Sequence, residues 1–461
     1  MNTKLKSILL LSALSVSALN VSVFADNKVV TEDTTESNQS YNDSDPTLPA
    51  LRVTTEGVTY NGTNITLSAT NDSASGAIYG RGAYVNNASL SLTGGFISTF
   101  GRIGTGVFLA ASSGALNDVN IKTEGVNGNG VIASANSTLL LTGGSISTSN
   151  TGGYGVNLSG TSSATLNNVN IKTEGQTGRA VYVTDNATLL LSGGTINTTG
   201  PDGHGIYFEL RNSGTVDNVT IKTTGSNGNG VYITGTSTLK LTDSDITATS
   251  SNAYAISVAT SSTATVSLNN NTITGNIYAR NAGSLTLSGS NGTVLTSNVT
   301  GSNGATIGIT LSDANTELHG NFLQIDAATA INLTVGADAL FHGSGELDSL
   351  TLASGAIIGY ADDVLLVTDS ITIGDGIIID FSSLTETGNY QVLDWSGATI
   401  TGGTISEDQF TATNLDESLQ GSFSVAGSQL TFNATAVPEP STWFLIGAGL
   451  GALALIRRRS S

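Results

Sequence analysis

The chain of 461 residues has no cysteine, five prolines, one methionine and two tryptophans, and only 11% of its residues are charged. Without cysteine there can be neither a disulfide scaffold nor a thiolate metal site. Scarce proline fits strands paired on both edges, which cannot spare an N–H. Basic residues are few, 16 against 35 acidic, for a formal charge of −19. That balance argues against a nucleic-acid partner, because phosphates demand clustered Lys and Arg. Glycine is abundant at 56 residues but lacks the strict third-position period of collagen. A hydrophobic content of 38% argues against ordinary disorder. What remains is a β protein rich in Gly, Ser, Thr and Asn.

The charges are unevenly placed. Lys4 and Lys6 open the chain and Arg457, Arg458 and Arg459 close it, while 11 basic and 34 acidic residues lie between Asp26 and Val437, a net of −23. All eleven stand at or before Arg280, and 17 acids follow with no base among them. This shift marks a candidate boundary near Arg280. Residues 1–25 combine a basic start, an apolar run from Ile8 to Leu19 and small residues before Asp26, the pattern of a secretory signal peptide. The other end reads Val437-Pro438-Glu439-Pro440, then an apolar stretch over 443–456, then the three arginines. A helix over that stretch would reach about 21 Å, short for a permanent span. The arginines are expected to stay on the cytoplasmic side and leave the body outside.

This tail, residues 437–461, resembles the PEP-CTERM sorting signal: a Pro-Glu-Pro box, a weakly hydrophobic helix and an arginine cluster in the right order. The resemblance implies a Gram-negative bacterium, export by the general secretory route, a transient inner-membrane anchor and processing by an exosortase-type transpeptidase. It also implies association with extracellular polysaccharide and biofilm. A plain tail anchor is the alternative.

From about residue 94 to 256 the chain repeats every 25 residues. Isoleucine recurs at Ile121, Ile146, Ile171, Ile196, Ile221 and Ile246, and a second column runs Val131, Val156, Val181, Ile206, Val231 and Ile256, each after Gly or Ala. A superperiod of 50 is also present, since the run from Asn117 to Gly125 returns at 167–175 and, more loosely, at 217–225. Apolar and polar residues alternate within each unit, as in Val181-Tyr182-Val183, and glycine-rich turns follow. The fold class expected is therefore all-β: a right-handed parallel β-helix with one coil per about 25 residues. Residues 26–50 read as an acidic flexible leader, 51–300 as regular coils, and 301–436 as irregular coils with a cap, a β-sandwich being the runner-up. The coils resemble the β-helical passenger regions of autotransporters over roughly residues 53–300, and the pectate-lyase fold by architecture only. No membrane barrel is expected after them, so self-translocation is not expected.

Candidate sites are few. Tyr182, Tyr207 and Tyr232 lie 25 apart, with Tyr79 and Phe108 at the corresponding place in other coils. Alternation points these rings outward, where they form either a platform for sugar rings or a ladder that stabilises the stack. Lys122, Lys172 and Lys222 form another outward column, with Glu124 and Glu174 placed to neutralise two of them. Arg179 and His204 share one turn position, with Asp202 and Asp185 near in sequence; turn variation explains them more simply than catalysis. His319 and His342 lack ligand spacing and read as surface residues. Asp243 with Asp245, and Asp362 with Asp363, give only a weak calcium signal. Threonines 123, 148, 173, 198 and 223 suggest ice binding, yet share parity with inward Ile121. No cofactor, metal or catalytic residue is expected. The sequence thus points to an exported, non-enzymatic surface or matrix protein in adhesion or biofilm, with a polysaccharide lyase or hydrolase as the alternative.

Overall fold

A computed structural model describes residues 27–43, 48–70 and 80–437. It is an all-β right-handed solenoid of about 14 turns with close to 25 residues in each. Each regular coil has three faces. In one coil they are the first part of Thr188–Thr198, its second part after the bend at Gly193-Gly194, and the start of Ile206–Asp217. Pairing with the next coil is parallel and in register: Leu189 with Gly214, Ile196 with Ile221, and Ile206 with Val231. Alternation decides what lies inside, because successive strand residues point to opposite faces. Leu189, Leu191, Ile196, Ile206 and Phe208 are buried to within 1% exposure, and the same positions are buried in neighbouring coils.

Crowding explains the small residue before each Val or Ile of the third face. A Cβ at Gly130 or Gly155 would stand 2.3 or 2.4 Å from the Cγ2 of Ile146 or Ile171, so the isoleucine column fills that space. The superperiod has a comparable cause at the bend. Asp118 and Asn168 turn the chain with positive φ, of 53° and 54°, and lay their side chains over the next coil. A Cβ on Gly143 or Gly193 would meet those Oδ1 atoms at 2.1 Å, and one on Gly144 or Gly194 would meet the carbonyls of Val119 or Val169 at 2.2 Å. Asn-Val coils therefore alternate with Gly-Gly coils.

The threonine column lies inside: Thr123, Thr148, Thr173, Thr198 and Thr223 are at most 1% exposed, which removes them from any ice-binding surface. The first four donate their hydroxyls to the carbonyls of Gly128, Gly153, Gly178 and Gly203 at 3.1–3.4 Å.

Within the flexible leader expected over 26–50, the described residues 28–43 instead form three strands of a coil. Lys28–Val30, Thr34–Ser37 and Ser40–Asp43 pair in parallel with Leu51–Val53 and the strand Thr59–Ala69. Acidity obscured the alternation that buries Val30 and Tyr41. Glu36 is held by Lys28 at 2.5 Å, by Tyr60 at 3.1 Å and by the Tyr41 hydroxyl. Burial acts to raise its pKa, but these hydrogen bonds and the Lys28 charge prevail and lower it.

Parallel pairing crosses the charge shift at Arg280 without a break and runs to Phe410–Thr413, which pairs with Ile377–Asp380. An antiparallel group then closes the stack: Gly388–Asp394 with Gln429–Ala436, and that strand with Leu419–Ala426. Phe381 stacks on Phe432 at 4.2 Å, and Phe432 contacts Phe423 at 5.0 Å, sealing the end of the core.

Candidate functional site

On the third face the outward column reads Tyr84, Phe108, Ile132, Asn157, Tyr182, Tyr207, Tyr232, Ser257 and Tyr278, each paired with the next. Tyr182 and Tyr207 stand 5.4 Å apart between centroids, Tyr207 and Tyr232 5.0 Å. Rings stacked one per coil cover each other's faces and present edges to solvent. Tyr207 is accordingly only 8% exposed.

A second column at the adjoining corner, Tyr154, Arg179, His204, Asn229 and Tyr254, packs over this ladder. The Arg179 guanidinium sits 3.8 Å from the Tyr207 centroid and 4.8 Å from that of Tyr182, and it donates to the Tyr154 hydroxyl at 3.2 Å. His204 stacks on Tyr232 at 4.8 Å and on Tyr207 at 5.6 Å. Its Nδ1 accepts the Asn229 N–H at 3.1 Å. Burial, reinforced by the Arg179 charge and opposed by Asp202, pushes the His204 pKa down to about 4. Tyr182 donates to the Glu209 carboxylate, and burial together with that bond raises its pKa.

The ladder breaks once within this stretch. Ser257 holds the place between Tyr232 and Tyr278, and beside it opens a groove of about 290 Å³. It is lined by Asp202, His204, Asn227, Asn229 and Asn252, by the rings of Tyr232, Tyr254 and Tyr278, and by Arg280. Tyr254 stacks on Tyr278 at 4.7 Å, and Arg280 donates to the Tyr232 hydroxyl at 2.9 Å, reaching across the Ser257 coil.

Of the residues singled out in the sequence, the structure joins Arg179, His204 and the three tyrosines, and brings Asp202 to the groove. Asp185 lies apart, in a depression with Asn186, Leu210, Arg211 and Thr236. Lys122 pairs with Glu124 at 2.6 Å and Lys172 pairs with Glu174. His319 and His342 face each other at 5.9 Å on neighbouring coils, with His319 bonded to Glu317 at 2.7 Å. Among the described residues no cluster of three or more His, Asp or Glu is placed to hold a metal. Asp243 accepts from Asn270 at 2.5 Å, and Asp363 from the N–H of Val364 at 2.8 Å, both as turn contacts.

Sequence reasoning missed Tyr154, Tyr254, Tyr278 and Arg280. Tyr154 and Tyr254 were within reach, since they continue the 25-residue column of Arg179 and His204. Tyr278 was not, because a step of 21 residues from Ser257 takes it out of period.

Of the sorting tail, Val437 ends the described chain, 41% exposed, with its N–H donated to Ser418 at 2.7 Å. Pro438, Glu439, Pro440, the stretch 443–456 and Arg457, Arg458 and Arg459 lie outside the described residues, as does the signal segment 1–25. Among the described residues no helix is long and apolar enough to cross a membrane.

Stacked coils with an aromatic face, ending in a sealed cap, define a right-handed β-helix protein, and family comparison agrees. Residues 105–273 match the right handed beta helix region, and residues 436–460 match the PEP-CTERM protein-sorting motif. No curated protein matches the chain. Among solved structures, the cryo-EM structure of the Vag8–C1 inhibitor complex contains a similar chain. The TM-score is 0.51 at 16% identity, over 85% of this chain and 99% of that one, a likeness of fold alone. The chain thus has the fold of a right-handed β-helix and carries a match to the PEP-CTERM protein-sorting motif at its C-terminal end.

Proposed function

We propose that this protein is a non-enzymatic surface or matrix component of a Gram-negative bacterium, with its body associated with extracellular polysaccharide in adhesion or biofilm. Residues 1–25 direct secretion, and the tail holds the chain briefly in the inner membrane until exosortase acts. The observation that carries the polysaccharide reading is the aromatic face from Tyr182 to Tyr278, where rings, Arg and Asn side chains line an open groove on a rigid solenoid. Sugars are recognised by ring faces flanked by a few polar groups.

Catalysis on this face finds less support. His204 is sandwiched between two tyrosines, one nitrogen already accepts a backbone N–H, and its depressed pKa makes it a weak base. Arg179 lies against ring faces, and Asp185 is elsewhere. Mass spectrometry of the mature C-terminus, combined with pull-down of the body by purified extracellular polysaccharide, tests the proposal. Loss of Arg457–Arg459 with retention on the polymer is expected. An intact arginine tail would refute processing, and turnover of the polymer abolished by His204→Ala would refute the non-enzymatic reading.

A further inference from the structure

The outer side of the first face carries two exposed leucines, Leu140 at 42% and Leu190 at 41%. Each is the middle of a leucine triplet whose other two members point into the core, so alternation forces it outward. The column that holds them reads Ala115, Leu140, Thr165, Leu190, Thr215 and Lys240, each in register with the next. From Leu140 to Thr215, large and small side chains alternate at steps of about 4.8 Å. The column two residues earlier is Ser or Thr in every coil from Thr59 to Thr286, ten in succession.

This face is nearly free of charge. Across those ten coils its outward strand positions hold one base, Lys240, and one acid, Asp217, whereas the second face carries Lys122, Lys172, Lys222 and Asp245 over a shorter run. Two copies of a body with a net charge of −23 repel each other on most approaches, so a flat uncharged face is where they can meet. Its size is sufficient. Ten coils by a five-residue strand give a patch of about 48 by 17 Å, about 800 Å², the share of each partner in an interface of standard size.

We infer that the first face is a self-association surface, on which a second copy of this chain packs antiparallel about a two-fold axis lying along the strands between Thr165 and Leu190. Such an axis reverses the order of the coils and keeps the position along the strand, so every contact occurs twice. Each leucine then meets a threonine: Leu190 faces Thr165 of the second copy, and Leu140 faces its Thr215. Lys240 faces Ala115 and lays its aliphatic stem across it. Large against small is the condition for two sheet faces to interlock at a spacing of about 10 Å. An axis through Thr165 itself would set leucine on leucine and hold the sheets apart, so the alternation selects the register. In the flanking column Ser113 faces Thr238, Thr138 faces Ser213 and Ser163 faces Thr188, hydroxyls that each donate and accept. This pairing does not rest on the polysaccharide reading and leaves the aromatic ladder of the third face uncovered.

The test is sedimentation velocity of the full mature chain over a concentration series, at low and at high salt. An equilibrium between monomer and dimer that strengthens with salt is expected, because salt screens the repulsion between two acidic bodies. Leu140→Ser and Leu190→Ser should each weaken it at least about tenfold, since each leucine is buried twice in a symmetric pair. Thr215→Lys, which sets a charge against Leu140 of the other copy, should abolish it. Leu323→Ser, which removes a leucine 57% exposed on the third face, should change nothing. Circular dichroism melts identify any variant that has lost its fold. Orientation is read separately, because the chain has no cysteine and single cysteines can be placed at will. A mixture of Ser113→Cys and Thr238→Cys chains should be joined by a short bis-maleimide, and neither variant alone should be. A monomer at every concentration and salt, dimers undiminished by Leu140→Ser, or dimers that dissociate as salt rises would overturn the self-association surface. Cross-linking of Ser113→Cys chains to one another would overturn the antiparallel pairing.

Discussion

The coils between Val131 and Ile256 and those between Ile277 and Thr413 share one topology but follow different rules. In the first group the third-face partners advance by 25 residues at every step, from 131 to 156, 181, 206, 231 and 256. In the second they advance by 22 and 23, from 277 to 299 and 322, and the first face makes a step of only 17 from Leu333 to Leu350. Both groups bury an uninterrupted apolar interior. The difference lies at the corners. Regular coils carry long turns whose residues stack on their equivalents above and below, so any change in one coil is felt by two neighbours. The later coils cut the corner between the second and third faces to two residues, at 297–298, 320–321 and 343–344, where the regular coils spend seven, as at 124–130. Strict periodicity is thus a property of stacked corners, and the core alone does not require it.

The strongest way to break the comparison is to add one methyl group at a corner in each region. Gly194 and Gly376 both have positive φ, at 84° and 68°, so alanine is strained at either. A Cβ at Gly194 would meet the Val169 carbonyl oxygen at 2.2 Å, whereas at Gly376 it would meet nothing within 4 Å. Gly194→Ala is expected to cost roughly 3–5 kcal/mol, the φ strain plus a clash with immovable backbone, and Gly376→Ala about 1 kcal/mol from strain alone. Urea denaturation of the two variants measures the difference. Equal costs would show that the regular corners are no more constrained than the later ones.

This contrast also accounts for what could be read from the sequence. The fold was legible because columns such as Ile121 to Ile246 recur at a fixed interval, and only stacked identical coils demand that. The corner site was half legible: Arg179 and His204 stood out as equivalents, but their use, packing on ring faces, depends on how the corner folds over the strand. Tyr278 and Arg280 were hidden because they lie just past the last regular step, where period ceases to carry information. The first coil was misjudged for another reason. Glu32-Asp33 and Asn42-Asp43 made the stretch look solvated, yet the residues between them form Thr34–Ser37 and Ser40–Asp43, which pair in register with Thr59–Ala69.

A weaker probe uses acid, because the corner column of the regular coils holds His204 against tyrosine rings. Burial pushes the His204 pKa down to about 4 in the folded chain, from the ordinary imidazole value of 6.5. Between those values the unfolded chain binds a proton that the folded chain does not. The contribution of neutral His204 is therefore fully present above pH 6.5 and is lost as pH falls through 4, about 3 kcal/mol across that window. His204→Asn, which copies Asn229 on the next coil, should flatten the stability profile between pH 6.5 and 4 relative to wild type. Glu36, whose pKa is lowered from 4.5, titrates at the acid end and leaves the upper part of the window to the histidine. Superimposable wild-type and variant profiles would mean that His204 is solvated and the corner looser than its geometry implies.

The smallest expected effect concerns surface charge, where the two regions differ most in composition. Lys122 and Lys172 are neutralised two residues away on their own strands, at side-chain exposures of 46% and 52%. Pairs this exposed contribute only about 0.2–1 kcal/mol, so Lys122→Ser should lower stability by no more than that, and the loss should vanish in 1 M salt. Between Asn281 and Val437 there is no Lys or Arg among the 17 acids, and they repel one another. Added salt should therefore protect the later coils more than the regular ones, as amide hydrogen exchange read coil by coil at low and high salt would reveal. If both regions gained equally, the acidic surface would have to be counted as neutralised by bound ions, and the boundary in charge at Arg280 would carry no energetic meaning.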